Sequence, residues 1–223
     1  MQIIRFADLK AEPWRNGGGV TRQLASRPSA AGGEDGQDGS WDWRVSIADV
    51  TRAGDFSPYP GMERLLTVIE GDLLLLTVGG TEHPVEKYRP FRFDGGVATA
   101  GALPTGDIRN LNVIARAGAY KAYTSIIELS KKRAHPVFDG QLAVLLQGSA
   151  TVSPGAAAAD EGPADEDGSA ADEDGSDNGA EAPPAAEPEA LGRYDAVVGS
   201  DVRSPEILGR GFLAVVSVDR TAG

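Results

Sequence analysis

Cysteine is absent from the 223 residues. That excludes disulfides, zinc–thiolate centres and thiol nucleophiles, and it fits a reducing compartment. Histidine is almost as scarce. His83 and His135 are the only two, about fifty positions apart, and both sit beside proline in segments that read as loops. A Ser-His-acid triad would have to recruit one of these two, and no Gly-x-Ser-x-Gly elbow is present. Apolar runs are short. The longest, near Leu73–Val78, falls far below the roughly 20 residues of a membrane helix. The opening MQIIRFADLKAEPW lacks the apolar stretch of a secretion signal. The expectation is a cytoplasmic protein with no membrane partner.

Basic clusters are also missing. The net charge is −12, but residues 153–190 carry six Asp and six Glu with no Lys or Arg, so the remaining 21 acids balance all 21 bases. No nucleic-acid surface is expected. The acidic tract is rich in Ala, Gly and Pro and repeats ADEDGS at 164–169 and 171–176. It offers too little apolar surface to offset its ordering entropy, and is expected to be a disordered insertion. Pro28–Ser40 reads as a shorter loop of the same kind.

What is present is strand-like. WDWRVSIADV alternates, with Trp41, Trp43, Val45 and Ile47 on one face and Arg44 and Ser46 on the other. NLNVIAR puts Asn110, Asn112, Ile114 and Arg116 together. ERLLTVIEG puts Arg64 with Leu66, Val68 and Glu70. Gly71-Asp72 reads as a hairpin turn between two apolar runs. Helical periodicity tempts only at Phe6–Lys10 and in a turn around Pro60–Glu63. LTVIEGDLLLLTV at 66–78 echoes AVLLQGSATVSP at 143–154, with Gly71 and Gly148 as equivalent turn residues. Many short strands with Gly-rich turns argue for barrels or sandwiches. The echo suggests two of them: residues 1–125 as one lobe, and 126–223, interrupted by the insertion, as another.

Several motifs occur together and in order: Trp14-Arg15-Asn16-Gly17-Gly18-Gly19-Val20-Thr21-Arg22, the run WRVSIADVTRAGDFSPYPG from Trp43 to Gly61, Arg64 in ERLLTVIEG, Pro90–Gly95, and Asp107–Arg116. Together they resemble the HutD/Ves family, strongly from about Arg5 to Arg116 and more weakly from Tyr120 to Arg220. The resemblance implies an all-β bicupin, two cupin-like jelly-roll barrels in one compact unit. It also implies a link to histidine utilisation as a non-enzymatic modulator, with a formylated or formimino glutamate derivative as ligand. The acidic insertion departs from the family pattern and puts the outline of the second lobe in doubt.

Metal-dependent cupins need clustered histidines, and this chain places Pro60-Gly61-Met62-Glu63-Arg64 where the first would stand. No metal and no cofactor are expected. Asn16-Gly17-Gly18-Gly19 lacks the ending of a phosphate loop; it serves either as a tight turn or as a close approach to ligand. An arginine facing a barrel interior needs an acid partner or a bound anion. Its partners could be Glu63, Glu70, Asp55 or Asp94. Otherwise it is free to grip a carboxylate in two-point fashion, while Asn supplies a donor and an acceptor to a formyl or amide group. The candidate ligand-binding set is Trp14, Arg15, Asn16, Gly17, Gly18, Thr21, Arg44, Ser46, Arg64, Asn110, Asn112 and Arg116, with a small acidic metabolite as partner. Phe56-Ser57-Pro58-Tyr59-Pro60 reads as a rigid loop at the barrel mouth. Two other readings stay open. One is a metal-independent isomerase or epimerase using Asp55, Asp94 or Glu63 as base; the other is an interaction module built on the acidic tract. Open sheet edges leave a homodimer possible, and the sequence does not decide it.

Overall fold

The computed structural model describes residues 1–29, 41–155 and 187–221. Residues 30–40 and 156–186, with most of the expected disordered segments, lie outside them. The strands in chain order are β1 (Gln2–Ile4), β2 (Glu12–Pro13), β3 (Gly19–Pro28), β4 (Trp41–Val50), β5 (Gly54–Phe56), β6 (Met62–Glu70), β7 (Leu73–Val78), β8 (Thr81–Glu86) and β9 (Phe91–Asp94). They continue as β10 (Thr99–Ala102), β11 (Ile108–Arg116), β12 (Tyr120–Leu129), β13 (His135–Pro136), β14 (Gln141–Ser153), β15 (Glu189–Leu191), β16 (Ala196–Val198) and β17 (Glu206–Arg220). The helical tendency near Phe6 is realised only as a single 3-10 turn, Phe6–Asp8. His83 and His135 fall on β8 and β13, not in loops.

Three sheets result, and they form jelly-roll-like layers rather than two closed barrels. A six-stranded sheet runs β2-β3-β4-β11-β6-β9, and a four-stranded sheet runs β5-β10-β7-β8. Between them lie Leu66, Val68 and Ile108 from the first and Phe56, Leu74, Leu76 and Val85 from the second, all buried. The third sheet runs β1-β16-β14-β17-β12, with β13 on β17 and β15 on β14. One of its faces packs on the outer face of the six-stranded sheet: Val45, Ile47, Leu65, Leu111 and Val113 meet Leu142, Val144, Ala214 and Val216. Strand alternation makes this possible, because β4, β6 and β11 each bury apolar side chains on both faces.

Sheet membership crosses the 125/126 line twice. β12 lies mostly N-terminal to it, and β1 leaves the first lobe to pair with β16. A polar clamp holds that crossing. The buried Asp195 accepts from Arg5 at 2.8 Å, from the Phe6 N–H at 2.9 Å and from the Gly192 N–H at 2.9 Å. The acidic tract enters after β14 and leaves into β15, and these two strands pair (Val152 with Glu189). Ser153, Glu189 and Ala190 therefore belong to the sheet and not to the insertion.

The glycine echo resolves into two different devices. Gly71 does not close a hairpin, since β6 and β7 lie in opposite sheets. It turns a corner at φ +81°, where a Cβ would sit 2.7 Å from the Asp107 carbonyl oxygen. Gly148 lies inside β14, opposite Gly211 of β17, with both at positive φ and next to a register shift at Leu145/Gln147. Ala143 and Leu145 on one side of this kink share a buried cluster with Ala150 and Val152 on the other. The third sheet thus bends over itself at a glycine pair and covers its own second face.

Two residues break the expected alternation, each beside a bulge. β3 pairs Arg27 with Trp43 and Pro28 with Trp41, so Asp42 is extra and Trp41 turns away from Trp43 to pack with Met62, Ile114 and Tyr59. β11 pairs Arg109 with Glu70 and Asn110 with Val68, and Glu70 turns to the interface between the lobes. There it accepts from the Tyr194 hydroxyl at 2.6 Å and from Arg109 at 3.1 Å. The Tyr194 hydrogen bond is the main reason that the Glu70 carboxyl is held below its ordinary range; burial opposes it, while Arg193 and Arg109 assist. A depressed carboxyl stabilises the fold above its unfolded pKa, near 4.3, and that stability is lost as pH falls through the folded value. Acid titration of unfolding midpoints is therefore expected to show a shallower low-pH limb in Tyr194→Phe than in the parent. An unchanged limb would remove Glu70 from the acid response.

Candidate functional site

At one end of the six- and four-stranded sandwich the apolar filling stops, and a cavity of about 350 Å³ opens. Its floor comes from three neighbouring strands: Arg44, Ser46 and Ala48 of β4, Asn110 and Asn112 of β11, and Arg64 of β6. Register explains the grouping. Asn112 pairs with Ser46 on one side and with Leu66 on the other, while Ile114 bridges Arg44 and Arg64. The polar residues share the inward parity, and the apolar residues between them face the other lobe. Phe56 at the end of β5, with Ser57 and Tyr59 from the β5–β6 loop, forms one wall. Glu12, Pro13, Trp14, Arg15, Asn16 and Thr21 from the β2–β3 hairpin form the other.

Arg64 is only 4% exposed. Its contacts are long ones, 3.4 Å to the Ser57 carbonyl oxygen and 3.4 Å to Asn112 Oδ1, and its Nε has no partner. Three rings surround it: Phe56, Phe93 and Tyr59, with centroids 5.2–5.6 Å away. Burial pulls its pKa down to about 10; Tyr59 acts against this and Arg44 adds to it. It remains a cation at neutral pH. Arg44 lies beside it, over Trp41 at 4.8 Å, donating to the Tyr59 hydroxyl at 3.1 Å and likewise keeping an unpartnered Nε.

Neither arginine forms an ion pair among the described residues. The acids that could have served are engaged elsewhere: Asp42 with Arg116, Asp49 with Arg22 and Arg109, Glu63 with Arg92, Glu70 with Arg109. Asp94 accepts from the Gly96 N–H. Asp55 lines the cavity without pairing to either arginine. Two cations therefore share this hollow with no acid paired to either among the described residues, a costly arrangement unless an anion enters. Asn110 completes the floor. It is 1% exposed, and neither its Oδ1 nor its Nδ2 has a partner.

The hairpin wall is held rigidly. Trp14 donates from its indole Nε1 to Thr21 Oγ1 at 2.7 Å and packs edge-on against Phe56. Asn16 Oδ1 accepts from the Gly18 N–H at 2.9 Å, and Gly17 adopts φ +66°. Gly19 has no room for a side chain, since a Cβ would lie 2.4 Å from the Asp49 carbonyl oxygen. The Asn-Gly-Gly-Gly stretch thus works as a tight turn that presents Trp14, Arg15 and Asn16.

Of the twelve sequence-derived candidates, nine meet at this cavity: Trp14, Arg15, Asn16, Thr21, Arg44, Ser46, Arg64, Asn110 and Asn112. Gly17 and Gly18 shape the turn behind them. Arg116 does not join; it is placed at the end of β11, bound to Asp42 at 3.0 Å. Tyr59, Phe56, Ser57 and Glu12 line the cavity without having been candidates. Tyr59 and Phe56 carried a signal, since they belong to the proline-braced loop. Glu12 carried none. Among the described residues, no group of three or more His, Asp and Glu is gathered so that it could hold a metal ion. No helix among them is long and apolar enough to cross a membrane.

The layered sheets and their polar end-cavity define a cupin-like jelly-roll protein. Solved structures agree. A conserved protein of unknown function from Pseudomonas aeruginosa PAO1 superposes with TM-score 0.69 at 23% identity, covering 99% of both chains. HutD from Pseudomonas fluorescens SBW25 gives 0.68 at 24% identity, again covering 99% of both. YlbA of E. coli gives 0.64 at 9% identity, covering 98% of this chain and 90% of its own. The HutD family model matches residues 6–183, and the chain belongs to the HutD family. Among curated proteins it is similar to an uncharacterized 21.2 kDa protein from the region 3′ of hutC in Pseudomonas putida, 37% identical over 123 residues. That alignment covers 55% of this chain and 62% of the relative. It is also similar to protein Ves of Citrobacter koseri, 31% identical over 130 residues, or 56% of this chain and 64% of the relative. The chain thus spans under two thirds of the length of these curated relatives.

Proposed function

We propose that this HutD-family protein is a binding protein for a small carboxylate metabolite of histidine breakdown. The ligand class is a glutamate derivative carrying a formyl or formimino group. The observation that carries the reading is Arg64: a buried guanidinium, beside a second one, with no acid partner among the described residues. Arg64 and Arg44 would hold the carboxylates, since charge-assisted fork contacts are the strongest available here. Asn110 and Asn112 would read the formyl or formimino group, Asn110 with both amide atoms free. The relative encoded beside hutC supports the metabolic setting. A modulating role without turnover follows the resemblance of the family.

Calorimetry on the full chain with N-formyl-L-glutamate, N-formimino-L-glutamate and urocanate tests it. At about 100 μM protein, sub-millimolar binding to at least one of the three is expected. No heat with any of them would overturn the reading. Asn110→Ala is expected to weaken the bound compound about tenfold, the worth of one to two neutral hydrogen bonds. An unchanged affinity would remove Asn110 from the site.

A further inference from the structure

We infer that Tyr194 of the second lobe is a positioning residue for the cavity of the first: it fixes the backbone bulge that aims Asn110 into the floor. The inference rests on the carboxylate reading above and adds the part played by the other lobe.

Tyr88 and Tyr194 are the only non-glycine residues at positive φ among the described residues, at +64° and +70°. That conformation is strained for tyrosine and persists only where the surroundings impose it. The surroundings of the two are alike. The Tyr194 N–H donates to the Leu145 carbonyl at 2.6 Å, and the Tyr88 N–H donates to the Val68 carbonyl at 2.8 Å. One residue further on, each strand carries a buried bulge residue that its partner strand skips, Leu146 in β14 and Ile69 in β6. Gln147 and Glu70 come next, and each tyrosine reaches across to the bulge of the other lobe. Tyr88 donates from its hydroxyl to Gln147 Oε1 at 3.4 Å and packs its ring on Phe212, the residue opposite Gln147. Tyr194 donates to Glu70 Oε2 at 2.6 Å, and its ring lies 4.7 Å from the guanidinium of Arg109, the residue opposite Glu70. The lobes thus hold one another by reciprocal tyrosine clasps.

The clasps differ in what lies beside them. Leu213 follows Phe212 and is sealed in an apolar cluster. Asn110 follows Arg109 and belongs to the cavity floor, with both side-chain amide atoms unpartnered. With no hydrogen bond to its side chain among the described residues, Asn110 takes its place from the backbone. The backbone beside it is the bulge whose two strands Tyr194 grips at once, through Glu70 of β6 and Arg109 of β11. Bulges recur next to functional sites because they re-aim a side chain. The shorter of the two clasps, made to a carboxylate, is the one on the lobe that carries the cavity.

Mirror variants separate positioning from mere support. Tyr194→Phe and Tyr88→Phe each keep the ring and lose one hydroxyl contact between the lobes. Calorimetry with N-formyl-L-glutamate is expected to show an affinity about three- to tenfold lower for Tyr194→Phe, the range for changes within a coupled network, and no change for Tyr88→Phe. In an Asn110→Ala background Tyr194→Phe should cost nothing further, since the residue it positions is gone. In isotope-labelled, ligand-free protein the backbone and side-chain amide resonances of Asn110 should move in Tyr194→Phe and stay in place in Tyr88→Phe. Equal affinity losses in the two variants, an undiminished loss in the Asn110→Ala background, or unmoved Asn110 resonances in Tyr194→Phe would overturn the inference and leave the carboxylate reading standing. If the parent binds none of the three compounds named above, that reading falls, and the Asn110 resonances alone then decide this inference.

Discussion

Replacing Arg64 with methionine is expected to abolish binding of the carboxylate ligand, a loss of a hundredfold or more, while leaving the fold at least as stable. The two halves of this result have one cause. Truncating one side of a buried charge pair costs about 2–5 kcal/mol of binding, and here the ligand supplies the other side. Without ligand, Arg64 is a buried cation whose nearest acceptors stand 3.4 Å away. Methionine replaces the arginine stem out to about the position of Nε and removes the unmet charge, and exchanges of buried ionic groups for apolar ones are often neutral or stabilising by about 1–4 kcal/mol. Thermal melts with and without ligand, beside the calorimetry, check both halves. A variant that binds normally, or one that melts far below the parent, would show that Arg64 is a structural cation. Arg116→Met is the control: its side chain is half-exposed and tied to Asp42, so ligand affinity should not change.

The second large effect is structural. Gly148→Ala is expected to destabilise the protein by at least about 3 kcal/mol, the range of the most damaging single changes, or to prevent folding. An alanine Cβ would stand 2.0 Å from the Arg210 carbonyl oxygen, and the backbone there has φ +99°. Backbone strain alone accounts for about 1–2 kcal/mol. Gly106→Ala separates the two terms, since Gly106 has φ +100° but open space around its missing Cβ. For a chain of this size, 3 kcal/mol corresponds to a melting shift of about 6–12 °C. A Gly148→Ala shift no larger than that of Gly106→Ala would mean that β14 and β17 do not approach closely at this point.

The lining of the cavity was legible because strand parity is simple. Arg44 and Ser46, Arg64, Asn110 and Asn112 could each be assigned to the face opposite an apolar set, and the register of β4, β11 and β6 brings these faces together. Parity fails wherever one residue is inserted. Trp41 and Glu70 were misplaced because the bulges at Asp42 and beside Arg109 leave no mark in hydrophobic pattern. Arg116 shows a second limit. Its parity is right, but its place along the strand puts it beyond the cavity and within reach of Asp42, and distance along a strand is not written in alternation. Gly71 and Gly148 look alike in sequence because glycine serves a corner and a close crossing equally well. Glu12 was invisible for another reason, since nothing near a two-residue strand tells which opening it borders.

The crossing of β1 into the third sheet has a consequence for how this molecule comes into being. The Phe6 N–H meets Asp195, 189 positions further along the chain. During synthesis β1 emerges well before β16 and has no partner strand until β16 follows. The first lobe can condense early, but β1 must stay undocked until β16 reaches it, so one long-range stitch ties the two lobes together.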